Sequence, residues 1–316
     1  MKVMKLKQIL LASVLGLFIT IFSCSNKEKF IRVEDQYTLV PNTVAAKKIA
    51  EHTDLMVHIA KDTSYGIMDG VTATEISYIS KTGLANKIFI VETDLSKPHI
   101  AIEVSTPNNA PQFAMQPMTK QATHEDREGH KVWAGINADF YNMTNGMPQG
   151  IVYKEGLAIK TSVTDQLNTF FAIMKDGKAF VGDQADYTSV KSQIQEAVGG
   201  RVTLIADGIL QAQSSTVLEP RTAIGVSQDG SKVYMLIVDG RRFHYSNGMS
   251  YEELGKCLKA LGAHDAINLD GGGSSTYFVR QVADFVADRF QLRNWPSDNG
   301  GAERAVANGL LIIANK

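Results

Sequence analysis

Residues 266–277 combine a carboxylate, an amide, glycines and hydroxyls in one short stretch. Asn268 and Asp270 alternate with apolar residues, and this period-2 pattern predicts that both polar side chains share one face of a strand end. The three glycines that follow let the backbone bring its N–H groups close to a bound anion or sugar hydroxyl. A plain glycine-rich turn between two strands is the structural alternative. The two polar residues on the approach favour a functional site.

Four other segments of the chain repeat this feature, in which a predicted strand end breaks into polar residues. Each segment alone has an ordinary explanation as a cap, a turn or a surface ion pair. Their recurrence indicates one shared pocket, built from loops across about half the chain. The segments are 137–142, with Asn137, Asp139 and Tyr141 on one face, then 219–222, 238–242 and 294–304.

The elements that would position these segments are mostly strands. Asp176-Gly177 and Asp229-Gly230 each lie between two apolar runs and predict hairpins. Residues 87–91 and 99–104 are predicted to form neighbouring strands. Helical spacing predicts helices over 42–61, 119–128 (facing solvent), 190–198 and 251–261. Because strands and helices do not alternate regularly, we predict an α+β fold with a large mixed, hairpin-rich β-sheet core and a few packed helices.

The composition is that of a globular protein without a nucleic-acid partner. The chain has 316 residues, of which 44% are hydrophobic and 21% charged, and its formal net charge is −1. This length suits one large domain or two modest ones. Such a small net charge gives no basic footprint for nucleic acid.

The N-terminus predicts export. Three lysines precede an apolar run, Ile9 to Phe22, which is too short to cross a bilayer. The run ends in Ile21-Phe22-Ser23-Cys24, which resembles the lipobox of bacterial lipoproteins; an ordinary secretory signal is the alternative. With Cys24 lipidated, Cys257 has no disulfide partner and is expected to be a buried small hydrophobe. The expected location is the bacterial cell envelope, at the outer membrane or the periplasmic face, with membrane contact only through the lipid anchor.

Taken in order, the polar segments resemble the phosphodiester glycosidase family. The resemblance extends from about Lys87 to the C-terminus, and residues 25–80 lie outside it. Together with the N-terminal pattern, it predicts four regions: a lipoprotein signal peptide (1–23), a tether (24–41), an N-terminal accessory region (42–85) and a phosphodiester glycosidase domain (86–316). The matching stretches are 137–142, Pro220-Arg221-Thr222-Ala223-Ile224-Gly225, Val238-Asp239-Gly240-Arg241, Leu261-Gly262-Ala263, the Asn-Leu-Asp-Gly-Gly-Gly-Ser-Ser-Thr signature at 268–276, 294–298 and 303–308.

The resemblance implies a hydrolase that removes a glycosyl group, for example N-acetylglucosamine, from a sugar-1-phosphodiester on a glycan or glycoconjugate. Glycosyl transfer usually needs two carboxylates, and we expect them to be Asp270 and Glu303 first, with Asp139 and Asp239 as further candidates. Arginine offers a planar, permanently charged fork for the phosphodiester, which makes Arg221, Arg241 and Arg304 candidates. The other expected substrate-binding residues are Asn137, Tyr141, Asn268, Gly271, Gly272, Gly273, Ser274, Ser275 and Asp298.

Two other functions stay open: a non-catalytic surface protein that binds glycans or phosphoglycans, and a metal-dependent phosphodiesterase that cleaves the P–O bond. The sequence has no Walker lysine after its glycines, no H-x-x-x-H zinc pattern and no G-x-S-x-G elbow. We expect no required cofactor, although a divalent cation such as calcium or magnesium could bind at Asp139, Asp239 or Asp270, since clustered carboxylates and carbonyls suit hard ions. The expected partner is a glycan or glycosyl-phosphate substrate.

Overall fold

A computed structural model describes residues 39–163, 169–281 and 288–315. The predicted signal peptide, the predicted lipidation site Cys24 and most of the predicted tether lie outside these residues. Within the described ranges, no helix is long and apolar enough to cross a membrane.

Three sheets carry the fold, and four α-helices of the described residues pack beside them. The helices are α1 (Val44–His52), α2 (Met118–Glu125), α3 (Gln184–Val190) and α4 (Tyr251–Leu261). The strands are β1 (Met56–Met68), β2 (Val71–Ser80), β3 (Ala85–Asp94), β4 (Ile100–Ser105), β5 (His130–Asn137), β6 (Val152–Lys154), β7 (Leu157–Lys160), β8 (Thr169–Met174), β9 (Ala179–Asp183), β10 (Ile194–Gly200), β11 (Thr203–Ala206), β12 (Ile209–Leu210), β13 (Arg221–Val226), β14 (Lys232–Val238), β15 (Asp265–Asn268), β16 (Tyr277–Arg280), β17 (Phe290–Leu292) and β18 (Gly309–Asn315).

The eight-stranded sheet has the order β1-β2-β3-β14-β13-β15-β11-β12. The two five-stranded sheets have the orders β7-β6-β10-β8-β9 and β17-β16-β5-β18-β4. The α+β class with a hairpin-rich sheet core is confirmed. One detail differs from the expected mixed sheet, because every pairing between described strands is antiparallel.

Both faces of the large sheet are buried, as its central strand β14 illustrates. Val233, Met235 and Ile237 pack into a core shared by all three sheets. Tyr234 and Leu236 alternate with them and pack on the opposite face, in the core that contains α1 and α4. A strand buried on both faces is expected to have a continuous apolar run such as this one. Strands β13, β14 and β15, which adjoin the polar segments 219–222, 238–242 and 268–276, therefore belong to a sheet that is covered on both faces.

Several predicted elements are confirmed. The hairpins β8–β9 and β13–β14 form around Asp176-Gly177 and Asp229-Gly230. Helix α4 begins at the predicted residue, where Ser250 and Glu253 form a capping box, and it ends at Gly262 in a left-handed conformation (φ 118°). Cys257 is buried on its inner face, as expected.

Two predictions about local structure are wrong. Residues 194–200 form strand β10 rather than a helix, because they pair with β8 and β6, and these long-range pairings override the helical spacing. The strands predicted as neighbours, β3 and β4, lie in different sheets: β3 pairs with β2 and β14, whereas β4 pairs with β18.

The predicted N-terminal helix and the predicted solvent-facing helix also differ from the structure. Helix α1 ends at His52, and the residues from Met56 onward form β1, which pairs with β2. The 42–85 region thus contributes two strands to the same sheet as β3. Helix α2 does not face solvent only, since Gln121 and Glu125 are buried in it.

Candidate active site

The polar strand ends converge, and Asn137 at the end of β5 joins three of them. Its Oδ1 accepts hydrogen bonds from Thr222 Oγ1 (2.8 Å) and from the backbone N–H of Thr276 (2.9 Å). Its Nδ2 donates to the carbonyl oxygen of Asp270 (2.7 Å), and Asp270 N donates to the carbonyl of Ala138 (2.8 Å). These bonds occupy the buried Asn137 side chain, so it positions the site.

Asp270 lies at the centre of this group with a partly buried carboxyl. Burial raises its pKa from 3.8 to about 6, while a hydrogen bond from Ser274 and the positive charge of Arg304 oppose that rise. Ser274 Oγ also accepts from Arg304 Nη1 (3.3 Å), and Tyr141 donates its phenol hydrogen to the carbonyl of Ala305 (2.9 Å). A carboxyl with this pKa is mainly ionised at neutral pH, yet it can take up a proton during a reaction.

Glycine is required at positions 272 and 273, because the backbone there lies against charged side chains. Gly272 is left-handed (φ 61°), its N–H donates to the carbonyl of Pro220 (2.8 Å), and a Cβ there would lie 3.2 Å from Arg241 Nη2. A Cβ on Gly273 would overlap the Asp298 carboxylate. The glycines therefore let the backbone lie directly against an ion-pair cluster. Because the Gly272 amide already has a partner, the run is one wall of a pocket and not a free phosphate cradle.

That ion-pair cluster consists of Glu219, Arg241, Asp298 and Arg304. Arg241 donates from Nε to Glu219 (2.6 Å) and from Nη1 to Asp298 Oδ1 (2.8 Å). Arg304 pairs with the other oxygen of Asp298 through Nη2. Arg241 has a left-handed backbone (φ 60°), which a residue with a Cβ rarely adopts, so its neighbours must hold it there. The cluster fixes two of the predicted phosphate-binding arginines beside the glycines and Ser274.

Asp139 is enclosed by backbone. Its oxygens accept from the N–H of Gly150 (3.2 and 3.3 Å) and from that of Gly199, and its side chain is buried. Burial raises the pKa of this carboxyl to about 8, and the nearby charge of Asp270 contributes to the rise. A Cβ on Gly199 would lie 3.0 Å from either oxygen, so glycine is needed for this enclosure. Asp139 therefore has a structural role in the site, through its hydrogen bonds with the backbone of Gly150 and Gly199.

Asp239 also acts through its neighbours. It accepts hydrogen bonds from the Tyr245 hydroxyl (2.8 Å), from Asn294 Nδ2 (3.0 Å) and from Trp295 N (3.0 Å). Burial raises the pKa of this carboxyl. These bonds fix the start of the loop that carries Asp298.

Glu303 is turned towards α2. Its carboxylate accepts from the backbone N–H of Thr119 (3.1 Å) and from the Thr119 hydroxyl, in the first turn of that helix. A carboxylate at a helix N-terminus stabilises the helix through its unpaired N–H groups and dipole. The partners of Glu303 are thus those of a helix cap, and they differ from the groups around Asp270 that we expected it to join.

Of three other residues expected to bind substrate, two form side-chain hydrogen bonds within the protein and one does not. Arg221 donates from Nε to the carbonyl of Met249 (3.2 Å) and from Nη2 to that of Val217 (3.2 Å). Asn268 Oδ1 accepts from the backbone N–H of residue 202 (2.7 Å) and its Nδ2 donates to the next carbonyl along the chain (2.9 Å). Ser275 Oγ is buried and has no hydrogen-bond partner in the described part of the chain.

Sequence reasoning missed Arg201, which follows β10. Its guanidinium lies over the Phe140 ring, 4.0 Å from the centroid, and its charge lowers the pKa of Asp270. The incorrect helix over 190–198 placed this residue in a connecting turn. A polar residue directly after a buried strand that ends in Gly199-Gly200 is the signal that would have found it.

A divalent cation at Asp139, Asp239 or Asp270 stays a prediction. Over the described ranges, one group brings three ligand atoms of His, Cys, Asp or Glu within 4.8 Å of one another, and it consists of Asp207, His264 and Asp265. Donors already surround Asp139 and Asp239, as described above. The group Asp207, His264 and Asp265 contains none of the three carboxylates for which a cation was predicted.

Comparison with known proteins shows which family shares this pattern. The sequence profile described as "Phosphodiester glycosidase" matches residues 130–313. N-acetylglucosamine-1-phosphodiester alpha-N-acetylglucosaminidase of Mus musculus is 26% identical over 180 residues, which cover 50% of this chain and 34% of the mouse protein. The Bos taurus protein of the same name is 27% identical over 180 residues, covering 50% and 33%. The chain thus spans about a third of the length of these curated relatives.

Solved structures share the fold at low identity. The catalytic domain of the zebrafish protein of the same name, auto-inhibited by its pro-peptide, has a TM-score of 0.60 at 20% identity and covers 81% of this chain and 88% of its own. A hypothetical protein from Synechocystis has a TM-score of 0.55 at 14% identity, covering 81% and 64%.

Proposed function

The chain belongs to the phosphodiester glycosidase family, and on that basis we propose that it is a hydrolase that removes a glycosyl group from a sugar-1-phosphodiester. N-acetylglucosamine is the sugar in the names of the mouse, bovine and human relatives. We propose it as the first sugar to test, on a glycan or glycoconjugate.

The environment of Asp270 is the observation that supports this proposal most directly. A partly buried carboxyl with a pKa of about 6 lies beside Ser274 and the Arg304 side chain, at the edge of a glycine run. An ionised carboxylate stabilises the positive charge that develops at the anomeric carbon during glycosyl transfer. Arginines beside it suit the negative charge of a phosphodiester.

The proposed reaction breaks the bond between the anomeric carbon and the phosphate oxygen. Water attacks that carbon directly, or Asp270 attacks it first and water then breaks the bond between the sugar and Asp270. The electron pair of the broken sugar–phosphate bond stays on the phosphate oxygen, and the proton that water loses passes to the phosphate or to solvent. The products are the free sugar and a phosphomonoester. Because phosphate is a good leaving group, the reaction needs less acid assistance than an ordinary glycoside, which agrees with the enclosed position of Asp139 and the capping position of Glu303.

Asp270→Asn tests the proposal, since it removes the charge and preserves the shape. On a panel of sugar-1-phosphodiesters, we expect wild-type turnover and a loss of about 10²-fold or more in the variant. Thermal unfolding of both proteins checks that the fold is intact. Asp207→Asn is the matched control, because it makes the same change at an exposed position outside the site. Full turnover by Asp270→Asn would refute the proposed mechanism, and saturable glycan binding without turnover by wild type would favour a binding protein.

A further inference from the structure

Arg201 differs from the other arginines around the site in what it donates to. Arg221, Arg241 and Arg304 each direct two guanidinium nitrogens to acceptors of the protein. Arg201 Nε is buried and has no acceptor among the described residues. A buried donor without a partner costs free energy, on the order of 1–3 kcal/mol, and more when the group is charged. A bound ligand that supplies the acceptor would remove that cost.

The backbone holds Arg201 against the segment that carries Asp270. Arg201 N donates to the carbonyl of Asn268 (3.2 Å), Val202 N donates to Asn268 Oδ1 (2.7 Å), and Asn268 N donates to the carbonyl of Val202 (3.0 Å). Asn268 is two residues before Asp270. These three bonds fix the position from which the Arg201 side chain extends.

Stacking fixes the other end of the side chain. The Arg201 guanidinium carbon is 4.0 Å from the centroid of the Phe140 ring, and Phe140 lies between Asp139 and Tyr141. A guanidinium on an aromatic face keeps its in-plane N–H groups free to point at an anion. Arg201 is therefore oriented by two of the strand ends that form the site, while its Nε has no hydrogen-bond acceptor among the described residues.

We propose that Arg201 binds the phosphate of the substrate, through its guanidinium N–H groups and a non-bridging phosphate oxygen. This inference rests on the proposed function, and it deepens it by naming the residue that distinguishes a phosphodiester from an uncharged glycoside. The proposal also accounts for how an anion approaches the Asp270 carboxylate: Arg201 and Arg304 both act electrostatically on that carboxylate.

Binding of inorganic phosphate, measured by isothermal titration calorimetry, tests the proposal without any turnover. We expect wild type to bind phosphate and Arg201→Gln to raise the Kd on the order of 10-fold or more, because a charged hydrogen bond is lost. Arg201→Lys keeps the charge but not the fork, so its Kd should lie between the two. Arg127→Gln is the matched control, since Arg127 is exposed on the surface, where its closest carboxylate is 4.0 Å away, and its Kd should equal that of wild type.

Equal phosphate Kd values for wild type and Arg201→Gln, or no phosphate binding by wild type, would overturn the proposal. Circular dichroism checks folding, and if Arg201→Gln does not fold, a Kd for Arg201→Lys equal to that of wild type overturns it instead. A further outcome is that wild type hydrolyses no phosphodiester while Arg201→Gln still binds inorganic phosphate more weakly than wild type. In that case the proposed function fails, and the assignment of Arg201 as a phosphate-binding residue stands.

Turnover gives a second readout that a merely positioning residue would not show. We compare a glycosyl phosphodiester with the nitrophenyl glycoside of the same sugar, which lacks a phosphate. Arg201→Gln removes a charge that acts on Asp270, so both substrates should show the same change in kcat from that effect. The loss of the phosphate contact should add a rise in KM for the phosphodiester alone. Equal losses on both substrates would mean that Arg201 acts on Asp270 alone, contrary to the proposal.

Discussion

The protonation state of Asp270 is set by opposing groups around one side chain. Burial alone favours the neutral acid, whereas the Ser274 hydrogen bond and the charges of Arg304 and Arg201 favour the carboxylate. The balance leaves the pKa at about 6. Burial raises the pKa of Asp139, which is enclosed by glycine backbone, to about 8. Two neighbouring carboxyls therefore have different pKa values because their surroundings differ.

This difference predicts a pH dependence of activity. If Asp270 acts as the carboxylate, then kcat/KM should fall as the pH drops through about 6, because the group takes up a proton there. An unperturbed aspartate would show this fall near its ordinary pKa of 3.8. The measurement is kcat/KM against pH over a range in which circular dichroism shows the protein folded. A profile that stays flat until near pH 4 would contradict the assignment.

Which residues could be found from sequence depends on how local their signal is. Asp270 was found because its Asn-x-Asp-Gly-Gly-Gly setting is contiguous. The positioning role of Asn137 could not be found in this way, because its hydrogen-bond partners Thr222 and Thr276 are 85 and 139 residues away in the sequence. Arg201 was missed for a related reason: its contact with Phe140 exists only once β10 pairs with β8 and β6. The residue types indicated which side chains could take part in a reaction. Contacts between distant parts of the chain determine which of those side chains are free to bind a ligand.

At the scale of elements, the site is a meeting of strand ends supported from outside by a helix. β5, β13 and β15 supply Asn137, Thr222 and the approach to Asp270. Helix α2 receives the carboxylate of Glu303, the residue immediately before the site arginine Arg304. Glu303 can thereby fix the chain that carries Arg304 without contacting substrate.

Glu303→Gln separates this capping role from catalysis. Glutamine keeps an acceptor for Thr119 but loses the negative charge at the helix N-terminus, which should lower the free energy of unfolding by about 0.3–1 kcal/mol. We expect kcat to change little. Chemical denaturation and steady-state kinetics on the same preparation measure both quantities. A loss in kcat of about 10²-fold or more, with unfolding unaffected, would instead mark Glu303 as the acid or base.

At the scale of the molecule, the N-terminal hairpin β1–β2 contacts the loop of residues 293–298, which leads to Asp298. Glu75 on β2 accepts from Arg293 Nε (2.9 Å) and pairs with Lys87 on β3 (3.3 Å). Arg293 is next to Asn294, whose Nδ2 donates to Asp239 (3.0 Å). The region that lacks the family pattern in its sequence therefore supports the loop carrying Asp298.

The sequence allowed the α+β class and the local hairpins to be predicted, but not how the sheets are assembled. A hairpin such as β13–β14 has its turn residues between its own strands, at Asp229-Gly230. The pairing of β3 with β14, and that of β4 with β18, joins segments more than a hundred residues apart, and no local signal marks it. This is why β3 and β4 were wrongly expected to be neighbours.

Hydrolysis in water enriched in oxygen-18 tests the proposed bond cleavage most directly. Wild-type protein is incubated with a sugar-1-phosphodiester that it turns over, and the sugar and the phosphomonoester are examined by mass spectrometry. Attack at the anomeric carbon beside Asp270 predicts that the heavy oxygen enters the sugar and is absent from the phosphate. Heavy oxygen in the phosphate would mean that the P–O bond is broken, and would contradict a glycosidase.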